Sequence, residues 1–529
     1  MIGMMRTSAL GLLRRLDRAC NRLYGWKYNP MYQTGTIAVL MLVILLITGV
    51  YLLLFYRIGS PWESVATMTG QVWGGRWIRT LHRYASDAAI VAIAVHALRM
   101  FAQGRSWGPR TLAWVSGVVL TGVFFLCGWT GYIMIWDTQG QALAIEGARL
   151  LDQLPIFAEP IGRTFATADT LPGAFFFMNL FLHIVLPIGV GVILWLHVSR
   201  IARPALMPPR ALTWTATGLL VAFSVFWPIG MTEQASATRL PGTMPLDLFY
   251  SFWIPVSRAL PVWAGWVIVG LTSVTLLAVP AWTRPADERR PPASSVNERH
   301  CTECYQCSID CPYEAIAMVP REDGRFDFVA RVDPKLCVSC GICAGSCKPM
   351  GVGPPGRTGR DQLAEARAFL RDQRPGAESV IVLACSQSAD WLLARHAVDS
   401  DAQLFTYPVS CAGSLHSSTV ELMVRAGVGG VLIATCPPRD CWNREGVTWL
   451  DARVNHGREA ELLKRVDRQR VRVVNAAEGG ATGLVASIRA FVSEIEGRAP
   501  AVAERDIIID EECEPVPETE RPETIGTGP

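Results

Sequence analysis

Long apolar runs with few charges alternate with short, arginine-bearing polar stretches over the first 282 residues and then cease. The runs at about 33–55, 80–100, 112–134, 174–199, 211–230 and 262–282 predict six helices, each near the ~20 residues that span a bilayer's hydrocarbon core. Residues 11–28, with Arg14, Arg15, Arg18, Arg22 and Lys27, read as an amphipathic helix lying on the membrane surface. Beyond residue 360 the pattern changes. Strand-like runs at 379–385, 403–411, 430–436 and 470–476 alternate with helical segments at 361–373, 389–398, 415–426, 455–467 and 482–496. Such alternation predicts a parallel sheet covered on both faces. Breaker-rich stretches at 283–300 and 351–360 read as linkers around a small segment, 301–350. The fold class is therefore multidomain: an all-α six-helix transmembrane bundle (1–282), a small α+β domain (301–350) and an α/β parallel-sheet domain (361–498). Residues 499–529, with nine acidic and two basic side chains, read as a disordered acidic tail.

Charge adds orientation. The N-terminus and the loops 100–111, 199–210 and 283–290 carry Arg105, Arg110, Arg200, Arg203, Arg210, Arg284, Arg289 and Arg290, and the opposite loops are richer in acid. The basic side is expected to be cytoplasmic, which puts both termini and the domains after residue 282 inside a bacterial-type cytoplasmic membrane. The net charge of +3 gives no case for nucleic acid.

Within the apolar half, His82 and His96 are 14 residues apart, and so are His183 and His197. Fourteen residues advance an α-helix to within about 40° of whole turns and raise it ~21 Å, so each helix presents two imidazoles on one face at two depths. Intramembrane ionisable groups are costly and are read as functional. Two facing helices of this kind suit two six-coordinate haems stacked across the membrane. Gly35 and Gly49, and Gly117 and Gly131, share the 14-residue period, as small residues that let a flat macrocycle approach the backbone. Together with Asp17-Arg18 and Gly-Trp-Thr-Gly-Tyr at 128–132, these residues resemble cytochrome b of bc-type complexes over about 10–282. The resemblance implies haem b between His82 and His183, a second between His96 and His197, and Arg79 and Arg99 neutralising haem propionates. It also implies a homodimer through the membrane domain. One departure stands out. Quinol-oxidising members carry Pro-Glu-Trp-Tyr between the last two spans, whereas here Pro245 is followed by Leu246 and Asp247, with Leu246 at the glutamate position. Asp247 could substitute for that glutamate at a shifted position, but its simpler reading is a solvated loop residue.

Twelve of the fifteen cysteines fall in three groups after the membrane part, which argues for metal rather than disulfides. Cys301, Cys304, Cys307 and Cys311-Pro312 form the bacterial ferredoxin run, and Cys337, Cys340, Cys343 and Cys347 repeat it. This resembles a two-[4Fe–4S] ferredoxin, in which the fourth cysteine of each run serves the other cluster. One cluster takes Cys301, Cys304, Cys307 and Cys347; the other takes Cys337, Cys340, Cys343 and Cys311.

In the α/β domain Cys385, Cys411 and Cys436 each end a strand, with Cys441 five residues further on. Ligands of open α/β sheets bind at strand carboxyl ends, so these four are candidate ligands of one [2Fe–2S] cluster, with zinc as another occupant and plain buried core thiols as the bland alternative. The phrase Cys411-Ala412-Gly413 and the Gly430-to-Cys441 spacing resemble the delta subunit of methyl-viologen-reducing hydrogenase over about 378–495. Members pass electrons between a hydrogenase or formate dehydrogenase and a heterodisulfide-reductase-type flavoprotein. His396, His416 and His456 read as ordinary polar residues.

These features predict a membrane-anchored electron-transfer subunit. It would connect a cytoplasmic, flavin-containing, heterodisulfide-reductase-like dehydrogenase to membrane quinone through one [2Fe–2S], two [4Fe–4S] and two haem b. The alternative is a bc-type quinol-oxidising cytochrome b with an iron–sulfur appendage and a Rieske-type partner.

Overall fold

In a computed structural model, residues 2–155, 160–162, 165, 173–199, 203–236, 245, 247–284 and 291–498 are described. The acidic tail expected at 499–529 lies outside them, as does Leu246. The chain forms two compact units, one of residues 1–13 and 33–284 and one of residues 14–32 and 285–529.

The first helix, α1 (Ile2–Tyr28), is interrupted at Gly25, whose φ of 70° only glycine adopts freely. The first unit is then helical: α2 (Thr34–Phe55), α3 (Pro61–Gly70), α4 (Gly75–Ala102), α5 (Thr111–Ile135), α6 (Thr138–Leu151), α7 (Gly173–Ser199), α8 (Arg210–Phe226), α9 (Ile254–Ala259) and α10 (Val262–Thr283). Among the described residues five helices are long and apolar enough to cross a membrane: α2, α4, α5, α7 and α10. The sixth expected span is shorter. Helix α8 stops at Phe226, before Pro228, and its 17 residues reach only ~26 Å. The long helices of this multi-pass membrane protein display Leu46, Ile47, Leu54, Trp195 and Leu271 outward, as lipid-facing helices must.

In the second unit, residues 291–353 build two small antiparallel ladders. In one, β1 (Ser295–Val296) pairs with β4 (Val352–Gly353); in the other, β2 (Ile316–Pro320) pairs with β3 (Phe328–Val332). Each of the two stretches with linker-like composition thus holds a short strand.

The rest is a four-stranded parallel sheet of β5 (Val380–Cys385), β6 (Leu404–Val409), β7 (Gly430–Thr435) and β8 (Val471–Asn475), in the order β6-β5-β7-β8. Its two central strands, β5 and β7, are buried throughout because both faces are covered, whereas the edge strands β6 and β8 are only partly buried. Ile381, Leu383, Val431 and Ile433 face one core, and Val380, Val382, Leu432 and Ala434 face the other. Of the expected helices, the one at 455–467 is absent. The helix lies earlier, at Gly446–Asn455, and Gly457 and Ala460 at positive φ break the chain beyond it. Leu462 and Val466 are nonetheless buried, as apolar anchors of an irregular segment.

Candidate functional site

The four predicted histidines converge on two levels within the first unit. Helices α2 and α4 pack together, as do α5 and α7, and glycine permits the contact in each pair. A Cβ added at Gly35 would lie 3.1 Å from the His96 ring, at Gly49 3.3 Å from His82, at Gly117 3.3 Å from His197, and at Gly131 2.8 Å from His183. The space each glycine leaves is taken by an imidazole.

The residue before each glycine is a hydroxyl: Thr34, Thr48, Ser116 and Thr130. Reading the sequence for histidine and glycine missed this, although the hydroxyls carry the same 14-residue period. Thr48 Oγ1 donates to the Ile44 carbonyl at 2.7 Å, Ser116 to Ala113 at 3.1 Å and Thr130 to Cys127 at 2.8 Å. A hydroxyl has one hydrogen, so each oxygen is left only to accept. His82 Nδ1 donates to Thr48 Oγ1 at 2.8 Å, and His197 Nδ1 to Ser116 Oγ at 3.0 Å. His183 Nδ1 lies 2.9 Å from the Cys127 carbonyl and 3.2 Å from Thr130 Oγ1. With Nδ1 carrying the proton, Nε2 keeps a bare lone pair, the tautomer a metal requires.

His82 and His183 face each other with ring centroids 6.4 Å apart and planes at 60°. Two metal–nitrogen bonds of about 2 Å plus the ring half-widths come to roughly the same span. The spacing therefore fits a metal that would be held between the two imidazoles. His96 and His197 are also close enough to interact electrostatically, with Arg99 and Arg105 beside them. Arg79, predicted to meet a propionate, is buried and donates to the carbonyls of Ile229 and Gly230, each at 3.2 Å.

Asp247 is not solvated. Arg83 forms an ion pair with it, and Tyr132 donates to Oδ2 at 3.0 Å. The amides of Phe249 and Tyr250 donate to Oδ1 at 2.9 and 2.6 Å. The Arg83 guanidinium stacks near the rings of Tyr132 and Tyr250, at 4.9 and 5.4 Å. The partners come from α4 and α5, distant in sequence, which is why the loop alone looked exposed.

In the second unit the eight ferredoxin-run cysteines line two cavities. Cys301, Cys304, Cys307 and Cys347 line one; Cys311, Cys337, Cys340 and Cys343 line the other. The halves repeat with an offset of 36 residues that extends to the backbone: left-handed residues at Glu303, Tyr305 and Glu314 recur at Ser339, Gly341 and Met350. Ala315 donates its amide to Cys311 Sγ at 3.3 Å, as Gly351 does to Cys347 Sγ at 3.2 Å. Amides aimed at sulfur favour bound thiolate.

Cys385, Cys411, Cys436 and Cys441 are all buried. Cys385 and Cys436 sit at the ends of β5 and β7, where the strand order reverses, with their sulfurs 3.3 Å apart. Cys411 interacts with Cys385 and Cys441, and burial among these neighbours pushes its thiol up to about 12. The hydrogen bond from Cys436 lowers Cys385 to about 7. Four buried thiols that act on one another, two of them with sulfurs in contact, suit a thiolate-bound metal centre.

His416 is no ordinary polar residue. It is buried, its Nδ1 accepts from the Ser418 amide at 3.2 Å, and its Nε2 donates to the Cys347 carbonyl at 3.1 Å. His396 and His456 are exposed.

The fold and these sites define a membrane redox protein with helical, ferredoxin-like and α/β parts. Comparison with known proteins gives the same three parts in the same order. Residues 22–204 match the family Cytochrome b/b6/petB, 300–351 the 4Fe–4S dicluster domain, and 380–497 the methyl-viologen-reducing hydrogenase delta subunit. The chain is 27% identical over 186 residues to the menaquinol:cytochrome c reductase cytochrome b subunit of Geobacillus thermodenitrificans, covering 34% of this chain and 82% of that one. It is 25% identical over 197 residues to cytochrome b6 of Synechococcus sp. (strain JA-3-3Ab), covering 37% and 92%. A solved chain of a hyperthermophilic respiratory Complex III is 17% identical with a TM-score of 0.39, covering 49% of this chain and 78% of that one. One polypeptide thus joins a part similar to cytochrome b, a likeness that implies haem b, to a 4Fe–4S-like part and a hydrogenase-delta-like part.

Proposed function

We propose that this chain is the membrane-anchored electron-transfer subunit linking a cytoplasmic, flavin-containing, heterodisulfide-reductase-like dehydrogenase complex to the membrane quinone pool. Bound at the sites above, two haem b, two [4Fe–4S] and one [2Fe–2S] supply one-electron carriers. The chain's own residues fix the positions of those carriers. Thr48, Ser116 and Thr130 hold imidazoles in the ligating tautomer. Buried strand ends and left-handed loops gather the thiols. The reading rests above all on one observation: between residues 301 and 441 twelve cysteines fall in three sets of four, two lining cavities and one buried at strand ends, in a chain whose first unit faces His82 with His183.

Quinone as the membrane substrate is supported by the menaquinol enzyme among the relatives. The arginine-rich loops support a cytoplasmic location for the iron–sulfur domains. The hydrogenase-delta match supports a soluble redox partner. Against the bc-type alternative stands Asp247, whose carboxylate is held by Arg83, Tyr132 and two amides rather than open to a quinol.

The test is turnover in proteoliposomes, with a reduced viologen as donor and a menaquinone analogue as acceptor. Quinone reduction is expected in the wild type and lost in both His96→Ala and Cys436→Ala. Unchanged reduction in Cys436→Ala would overturn the proposal.

A further inference from the structure

The ferredoxin-like repeat is symmetric in backbone but not in what it touches. At the left-handed position after the second cysteine of each half, one half has Tyr305 (φ 60°) and the other Gly341 (φ 77°). Tyr305 is exposed, whereas Gly341 is buried against the α/β domain, and a Cβ added there would lie 2.9 Å from Ser414 Cβ. The asymmetry recurs four residues on. Ile309 is exposed, while its counterpart Gly345 packs on the α/β domain, where a Cβ would lie 2.7 Å from the Gly413 carbonyl oxygen.

Polar groups clasp the same junction. Arg357 donates to Ser410 Oγ at 3.1 Å and to the Ser339 carbonyl at 2.8 Å, and so ties the residue before Cys411 to the residue before Cys340. Tyr313 donates to Asn443 Oδ1 at 3.3 Å, and Asn443 in turn hydrogen-bonds to Cys411. The buried Arg453 donates to Ser346 Oγ at 3.1 Å and to the Gly413 carbonyl at 2.8 Å. Cys347, of the other set, meets the α/β domain through its carbonyl, which accepts from His416 Nε2 at 3.1 Å; the cysteine within electrostatic reach of Cys411 is Cys340.

We propose that electrons pass between the α/β four-cysteine centre and only one of the two cubanes, the one held by Cys311, Cys337, Cys340 and Cys343. The crossing is at Cys340 and Cys411, with Gly341 as the positioning residue that brings them together. The proposal rests on the cluster assignments above. Each transfer moves one electron, oxidising one centre and reducing the other, and no bond or proton changes place. Gly341, Arg357 and Asn443 act by fixing the junction.

The chain supplies its own control, because its other half accommodates tyrosine at the equivalent position. In the full-length protein, reduced anaerobically with dithionite, the two-iron electron paramagnetic resonance signal is expected to be broadened by spin–spin interaction with one cubane. In Gly341→Tyr both cubanes are retained, by iron and sulfide content, but the broadening is lost. In Tyr305→Gly it persists. Should Gly341→Tyr not fold, Cys340→Ser decides, since oxygen ligation shifts the g values of one cubane and the interacting signal must be the shifted one. Broadening that survives Gly341→Tyr, or that follows Cys304→Ser instead, overturns the assignment. Wild-type protein with both cubanes but no two-iron signal overturns the underlying cluster reading, and the assignment with it.

Discussion

His82 Nδ1 donates to Thr48 Oγ1 at 2.8 Å, and the threonine's own hydrogen is already committed to the Ile44 carbonyl, so the pair leaves His82 Nε2 as a bare ligand. Removing an orienting group of this kind typically costs 10–100-fold in metal affinity. Thr48→Val, which keeps the shape and loses the acceptor, should lower occupancy of the haem between His82 and His183 and shift its midpoint potential. Optical redox titration of the purified protein measures both.

Gly131→Val places a side chain where a Cβ would already lie 2.8 Å from the His183 ring. The imidazole must move, and its partnership with His82 is lost. The expected outcome is loss of one haem of two, read by haem content per chain, with the pair at His96 and His197 intact.

The Arg83–Asp247 pair is mostly buried, with side chains 17% and 12% exposed. Removing one partner of a buried pair leaves an uncompensated charge and costs about 3–5 kcal/mol, whereas replacing both by apolar residues is close to neutral. Arg83 also pairs with Asp87, so Asp247→Asn, which leaves that pair, should lower the thermal midpoint in detergent modestly, whereas Arg83→Met, which strips both carboxylates of their cation, should lower it further.

Asp390 is buried, and burial raises its carboxyl from the ordinary range to about 6, opposed by Arg18 and Arg14 and reinforced by Asp17. A folded-state value above the unfolded one means the folded protein binds more protons between them. Stability then falls as pH rises from about 4 to 6, by no more than about 3 kcal/mol. Asp390→Asn should abolish this dependence, as measured by melting curves across that range.

Much of both sites was legible from spacing because the constraints are local. Fourteen residues on a helix return an imidazole to one face whatever surrounds it, and Cys-x2-Cys-x2-Cys gathers three thiols within one loop. The strands at 380–385 and 430–435 were legible because they are apolar on both faces. Properties that depend on tertiary neighbours were not. Asp247 looked solvated because Arg83 and Tyr132 lie more than a hundred residues away. His416 looked ordinary because its acceptor is a carbonyl 69 residues distant. The orienting hydroxyls at Thr48, Ser116 and Thr130 were visible in the sequence, but threonine and serine in a helix have a simpler role, bonding the preceding turn, and these do both.

The proposed function requires that paired imidazoles in the first unit and sets of four thiols in the second hold iron centres. Haem, iron and sulfide content together with Mössbauer spectroscopy of anaerobically purified full-length protein tests it most directly. Two haem b, two [4Fe–4S] and one [2Fe–2S] per chain are expected. A single haem, or zinc in place of iron on the cysteines, would contradict it.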